Sequence, residues 1–308
     1  MKGTVVAHYA EYLALRGAVA ALDRVSMRRA GNIGEWIGAL GYRPLGVRRA
    51  VVERQVRAAF PGVGEDEVRR IARASYESLG RTTIETALLP AYSREQVLGM
   101  FERVDGWDIV ERAQAQGRGV LFVTGHLGNW ELAGSFVAAR ASVPLEAVAR
   151  RMQNPLFDRY LTETRRRIGM TVIHDADAVR RVPRAMREGH FVAFLVDQGA
   201  VGLASTWVPF FGRYAKTPRG PAVFALRLDA PVVFGTALRQ PSGRYAMHFE
   251  EVRVERTGDR ETDVDRIVAA YTHTLERWIR RAPEQYFWHH RRWKHQRPDT
   301  PPELGDPS

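Results

Sequence analysis

The chain has 308 residues, 45% hydrophobic and 26% charged, with no cysteine. That is globular composition, and it excludes disulfides, cysteine-bound zinc and thiol nucleophiles. Lys+Arg number 46 against 35 Asp+Glu, a formal charge of +11 carried almost wholly by arginine, which suits nucleic acid, anionic lipid headgroups or an acidic protein.

The first apolar stretch, Val5 to Val25, is interrupted by Glu11, Arg16 and Asp23, whereas a membrane-crossing helix needs about 20 mostly apolar residues. No long apolar core leads to a small-residue cleavage site, so a secretory signal is not indicated either. Val5, Tyr9, Tyr12, Leu13, Val19 and Leu22 recur at helical spacing. An amphipathic helix of that kind either lies in a membrane interface or packs on the protein's own core.

The N-terminal third reads as helical, with periodic segments from Arg49 to Phe60 and Gly64 to Leu89 stopped by Pro61 and Pro90. From Gly106 the texture alternates. Helices are expected over Asp108–Gln116, Asn129–Arg140, Pro155–Ile168, Ala176–Glu188 (or only from Pro183), Thr217–Leu228 and Asp263–Arg281. Strands are expected over Gly119–Thr124, Leu145–Ala149, Met170–Ile173, Phe191–Val196, Pro231–Leu238 and Arg244–Val254, with a long loop before Thr217. Such alternation predicts an α/β domain with a largely parallel sheet, and apolar runs such as VLFV and FVAFLV suit strands covered on both faces. The Pro- and Asp-rich tail from Pro298 is expected to fray.

The segment Val120-Leu-Phe-Val-Thr-Gly-His-Leu-Gly-Asn-Trp-Glu131 carries the clearest chemistry. A strand leads to Gly125, His126 sits in the turn, and a helix begins near Asn129. Positions five apart diverge by roughly 140° on a helix, so His126 and Glu131 can meet only if His126 is on the loop, which Gly125 and Gly128 permit. A carboxylate on one imidazole nitrogen fixes the tautomer and makes the other nitrogen a better base. That base could deprotonate a hydroxyl as it attacks an ester or thioester carbonyl, and the nearby helix N-terminus could stabilise the developing charge. No Gly-x-Ser-x-Gly elbow is present, and one histidine without an HExxH pattern indicates no metal. The plainer alternative makes His126 a turn residue and Glu131 a solvated acid at the helix start.

Gly-His-Leu-Gly-Asn-Trp-Glu131 resembles the HX4E block of the lipid A biosynthesis (late) acyltransferases, within the lysophospholipid acyltransferase superfamily. The resemblance runs from about Arg49 to Pro298. It includes Arg150 and Asn154 in ARRMQNPLFDRY with Arg165 downstream, then Asp197-Gln-Gly199, Val208-Pro-Phe-Phe-Gly212 and Pro283-Glu-Gln-Tyr-Phe-Trp-His-His-Arg-Arg-Trp-Lys294. It implies a single α/β sandwich domain over 49–298, after a helical, membrane-associating segment (1–48) and before a disordered tail (299–308). His126 would be the general base and Glu131 its orienting partner. Arg165 and Asp197 would be required polar residues, Arg150 and Asn154 would line the acceptor pocket, and Asn129, Trp130 and Gln198 would contact substrate. The donor would be an acyl-acyl carrier protein and the acceptor a lipid A precursor, with no cofactor or metal, at the cytoplasmic face of a bacterial inner membrane.

Read without the family, Asp197 is as well suited to capping a loop as to a site at a strand C-terminus, where ligands bind in open α/β sheets. VPFFG reads as an acyl-chain groove or a buried loop, Arg150 and Arg151 as surface charges, and at least one of Arg165-Arg166-Arg167 as solvated, since the three point in different directions on a helix. His289, His290, Arg291, Arg292, Lys294, His295 and Arg297, interleaved with Trp288 and Trp293, would suit either single-stranded nucleic acid or a phosphorylated lipid at an interface. No nucleic-acid fold signature accompanies them. The competing functions are therefore acylation of a lysophospholipid or other glycolipid from acyl-CoA or the carrier protein, and a non-catalytic membrane- or nucleic-acid-binding protein.

Overall fold

The computed structural model describes residues 2–22, 25–199, 204–254 and 256–307. Helices α1 (Lys2–Leu22), α2 (Met27–Tyr42), α3 (Arg49–Ala59), α4 (Glu65–Leu88) and α5 (Arg94–Gly99) precede the sheet. There follow β1 (Phe101–Asp105), α6 (Trp107–Gln114), β2 (Val120–Thr124), α7 (Trp130–Arg140), β3 (Leu145–Ala149), α8 (Pro155–Arg167), β4 (Met170–His174), α9 (Ala178–Arg187) and β5 (Phe191–Leu195). A hairpin of β6 (Ser205–Phe210) and β7 (Arg213–Pro218) leads to α10 (Gly220–Leu228), β8 (Val232–Arg239), β9 (Tyr245–Val252) and α11 (Arg260–Arg281).

The seven-stranded sheet has the order β1-β9-β8-β2-β5-β3-β4. Strands β8, β2, β5, β3 and β4 run parallel, while β9 is antiparallel to β8 and β1 parallel to β9. The expected α/β fold is thus present, with two reversed strands at one edge. Side chains on β2 alternate between two cores, as a period of two requires. Val120 and Phe122 pack with α5, α6 and α7, whereas Leu121 and Val123 pack with α9, α10 and α11. No helix among the described residues is long and apolar enough to cross a membrane.

Most boundaries fall within three residues of expectation, and the departures have physical causes. Pro183 lies inside α9 rather than opening it. The expected long loop contains the β6–β7 hairpin, whose strands pair only with each other. Short α5 was not expected, although Ser93 and Gln96 form a reciprocal capping box. The segment expected to fray instead lies against the domain: Asp306 pairs with Arg291, and the Gly305 carbonyl accepts from Arg213 at 3.0 Å. In α1, Tyr9 and Leu13 are exposed and Tyr12 lies on Tyr160; the side chain of Val5 lies outside the described residues.

The turn from β2 into α7 is threaded tightly through the fold. Gly128 has φ +63°, and a Cβ there would stand 1.9 Å from the Ala237 carbonyl oxygen. Gly189 has a similar φ of +76° but open space around it. Gly128→Ala should therefore cost about 3 kcal/mol or more in denaturant unfolding, against about 1 kcal/mol for Gly189→Ala, since only the first adds a backbone clash to the left-handed penalty.

Candidate active site

In the parallel register Val123 stands opposite Phe194 and Thr124 opposite Leu195. Two residues further on, His126 and Asp197 leave the sheet side by side at its C-terminal end. The His126 backbone N–H donates to Asp197 Oδ2 at 2.9 Å, and Nδ1 lies 2.8 Å from Oδ1. A carboxylate only accepts, so the neutral imidazole carries its proton on Nδ1 and keeps a lone pair on Nε2. The Gln198 amide donates to that nitrogen at 3.2 Å. Gly125 allows the close approach, because a Cβ there would meet Leu275 at 2.7 Å and Asp197 Cγ at 3.2 Å.

Asp197 is 2% exposed. Burial pushes its carboxyl up, but the charge on His126, the two hydrogen bonds from that residue and the charge of Arg292 outweigh it and hold the group down at about 2. The C-terminal block supplies much of this shell. Leu127 bridges to Tyr286, the Gly128 N–H donates to the Gln285 carbonyl at 2.9 Å, and the Phe287 N–H to that of His126 at 3.0 Å. Arg292 is buried and donates to the Lys216 carbonyl at 2.7 Å and the Thr217 hydroxyl at 2.5 Å, tying the block to β7. His290 Nε2 accepts from the Gly199 N–H at 3.0 Å, and burial lowers His289 and His290 to about 4. The aromatic and basic cluster is therefore largely internal: Trp288, Trp293, His289 and Arg292 are buried. Its centre offers no stacking platform for bases.

Glu131 departs from the expectation. Its carboxylate is engaged by Arg165 of α8, Nε to Oε2 at 3.1 Å and Nη2 to Oε1, while the carboxylate on His126 Nδ1 is that of Asp197. Glu131 lies in the first turn of α7 and turns away to α8. Trp130 meets the His126 ring edge-on at 4.8 Å. Trp130, Glu131 and Arg165 line the polar side of an apolar slot of about 70 Å³ between α7 and the sheet, walled by Phe122, Val137, Leu145, Met170, Met247 and Phe249 among others.

Asn129 is fully buried and caps α7, its Oδ1 accepting from the Leu132 N–H at 2.9 Å. Arg150 is exposed and donates to Asp175 at 3.2 Å. Asn154 caps α8, and its amide nitrogen donates to Glu11 at 2.9 Å and the His8 carbonyl at 3.2 Å. Among the described residues the hydrogen bonds of Asn154 run to α1 and α8, and one from Arg150 runs to Asp175. Val208, Phe210 and Phe211 are buried against Phe60, Tyr286, Trp288 and Trp293, which is the buried-loop reading of VPFFG.

Glu85 and Arg81 went unnoticed in the sequence. Buried Glu85 accepts from Arg81 Nε at 2.8 Å, Asn129 Nδ2 at 3.0 Å and the Tyr245 hydroxyl at 2.5 Å, so α4 fixes the cap of the helix that follows His126. Their spacing of four was the available signal, but it is shared with many surface pairs.

Because Asp197 titrates below its unfolded value of about 3.9, its stabilising contribution is fully present above that pH and is lost as pH falls towards 2. Unfolding measured between pH 5 and 2 should show a difference between wild type and Asp197→Asn that shrinks by on the order of 2 kcal/mol across that window. A pH-independent difference would contradict the assigned ionisation.

A profile of the family described as Bacterial lipid A biosynthesis acyltransferase matches residues 6–295. The chain is 29% identical over 263 residues to a lipid A biosynthesis palmitoleoyltransferase of Escherichia coli K12, covering 85% of this chain and 84% of that protein. It is 28% identical over 265 residues to the lipid A biosynthesis lauroyltransferase of the same organism, covering 85% and 84%. A phosphatidylinositol mannoside acyltransferase of Mycobacterium tuberculosis is 27% identical over 164 residues, 52% of each chain. The profile spans nearly the whole sequence, and the chain belongs to the bacterial lipid A biosynthesis acyltransferase family, making it an O-acyltransferase.

Proposed function

We propose that this acyltransferase moves a fatty acyl group from an acyl-acyl carrier protein to a hydroxyl of a lipid A precursor, with His126 as general base. The observation that carries the reading is the oriented imidazole: Asp197 holds Nδ1, so Nε2 is the accepting nitrogen, and an acceptor hydroxyl would take the place of the Gln198 amide that meets it at 3.2 Å. Nε2 takes the proton of the acceptor hydroxyl as its oxygen attacks the thioester carbonyl. The carbon–sulfur bond then breaks, and the thiolate leaves with the proton returned by the imidazolium. Negative charge passing through the carbonyl oxygen falls near the N-terminus of α7, the positive end of its dipole.

The slot beside Trp130 is suited to the acyl tail. Its 70 Å³ corresponds to about five water-sized spheres, a narrow opening, and the flexible walls Met170 and Met247 can yield to an apolar chain. Glu131 and Arg165 close the polar side as a compensated pair. A charge of +11 favours an acidic carrier and a phosphorylated acceptor, and both would meet a peripheral enzyme at the cytoplasmic face of the inner membrane. A second reading, acylation of another glycolipid, draws on the similarity to the phosphatidylinositol mannoside acyltransferase.

The test is mass spectrometry of lipids after incubation with acyl carrier thioester and a panel of acceptors: a tetra-acylated lipid A precursor with its sugar acids, lysophosphatidic acid and a phosphatidylinositol mannoside. An acyl mass gained by the lipid A precursor, and lost in His126→Ala, is expected. Gain only on the mannoside would establish the second reading. Asp197→Asn should lower kcat by about 10²–10⁴, the scale on which a lost orienting carboxylate acts. Glu131→Gln should act through stability and donor KM. Wild-type melting and KM with a kcat loss as deep as that of Asp197→Asn would return the orienting role to Glu131. Ala193→Leu, at the slot wall, should shift preference to shorter acyl donors.

A further inference from the structure

Helix α2 has two unlike sides. Towards α4 it presents glycine: a Cβ on Gly34 would meet the Gly80 carbonyl oxygen at 2.5 Å, and one on Gly38 that of Tyr76 at 2.0 Å. The backbones are in contact there, with no room for side chains. Outward it presents Ile33, Trp36 and Ile37, at helical spacing, which are 39%, 64% and 48% exposed. Leu45 and Val47 in the following turn are 70% and 54% exposed. Among the described residues these five are a large part of the exposed large apolar side chains, and all fall between Ile33 and Val47 in the chain.

The charges around this stripe have one sign. Arg28 and Arg29 stand at the start of α2, and Arg43 and Arg48 after its end; all four are exposed. Among the described residues none of them has an acidic partner, whereas the only acid in α2, Glu35, is partly exposed and already paired with Arg81 at 2.9 Å and Arg239 at 3.2 Å. Beneath α2, α4 reaches the turn that carries His126: Thr82 donates to the Gly128 carbonyl at 3.3 Å, and Glu85 holds Asn129. The stripe therefore lies at the end of the sheet where His126 and Asp197 emerge.

We propose that the outer face of α2 and the turn after it form the membrane-docking surface, with Trp36 and its isoleucine neighbours entering the headgroup boundary of an anionic bilayer and the arginines meeting lipid phosphates. This deepens the lipid-acylating reading, and docking in this pose brings the active-site end of the sheet to the membrane. An arginine rim repels the same rim on a second copy, and an exposed tryptophan among branched aliphatics suits an acyl–headgroup boundary better than an acidic protein surface.

The test is co-sedimentation of the full chain with vesicles of phosphatidylglycerol and phosphatidylcholine, free of substrate, so it does not depend on turnover. The Ile33→Ser, Trp36→Ser, Ile37→Ser triple variant should bind at least about tenfold more weakly than wild type, as loss of the inserted apolar area demands. It should keep its melting temperature and its turnover of detergent-solubilised substrate. Trp36→Ser alone should give an intermediate loss. Arg28→Gln with Arg29→Gln and Arg43→Gln should weaken binding to the anionic vesicles and leave binding to pure phosphatidylcholine unchanged. Wild-type vesicle binding by the triple variant would overturn the proposal. So would unchanged vesicle binding alongside either a wild-type dimer that the variant turns into a monomer, or a raised KM for the carrier thioester, which would assign the face to a second copy or to the donor.

Discussion

Five residues of β2 pair in parallel with five of β5, and two residues beyond the ladder on each strand His126 and Asp197 emerge at the same end of the sheet. Everything that follows at the site depends on that pairing. It sets His126 beside Asp197, and the residues next in sequence complete the geometry, Gln198 on one ring nitrogen and the Asp197 carboxylate on the other. A slip of one residue would send each side chain to the opposite face, because the period of a strand is two. The buried alternation of β2 between two apolar cores makes such a slip costly, so the packing of the domain also fixes the register of its chemistry.

Taking Asp197 out of water carries an electrostatic cost, which His126 offsets first and the charge of Arg292 after it. The C-terminal block supplies the second. Arg292 lies buried behind the pair, Tyr286 pairs with the loop that bears His126, and His290 holds the backbone of Gly199. Two of the Arg292 donors are met across on β7, by the Lys216 carbonyl and the Thr217 hydroxyl, while its Nε has no partner among the described residues. This ties the β6–β7 hairpin to the site despite its isolation from the main sheet: it holds an arginine whose charge adds to the larger effect of His126 in keeping Asp197 ionised. Neutral His289 and His290 suit the same interior, since burial disfavours their charged forms.

The alternation of β2, β3, β4 and β5 with their helices was legible because those strands are buried on both faces and read as unbroken apolar runs. The placement of His126 in a turn between a strand and a helix was legible because glycines flank it and an apolar run precedes it. Glu131 was placed in the right turn but given the wrong partner. Sequence spacing says only that His126 and Glu131 could meet; it is silent about Arg165, thirty-four residues on, and about Asp197, which reaches His126 through strand pairing. The same limit hid Glu85. Its role depends on Tyr245, 160 residues away, and on an asparagine cap that looks like any other helix start. The hairpin strands escaped because a two-stranded ribbon between loops carries no helical partner to set a βαβ rhythm.

The net charge of +11 pointed to an anionic partner without saying where it would bind, and the structure sorts the arginines by what they can do. Pairs such as Arg73–Glu77 and Arg184–Glu188 are exposed and four apart on helices; they offset each other in charge and contribute little to stability. Arg81, Arg165 and Arg292 are held inside or near the core by acids and carbonyls, so they are committed to the fold and the site. What remains available to an external anion is the surplus on the surface, and at α2 it borders exposed tryptophan and isoleucine, with Glu35 already paired to Arg81 and Arg239. Charge and apolar exposure coincide there at the end of the sheet that holds the oriented histidine. On the proposed acceptor, a phosphorylated lipid, that coincidence would keep the hydroxyl to be acylated within a headgroup's reach of the oriented histidine.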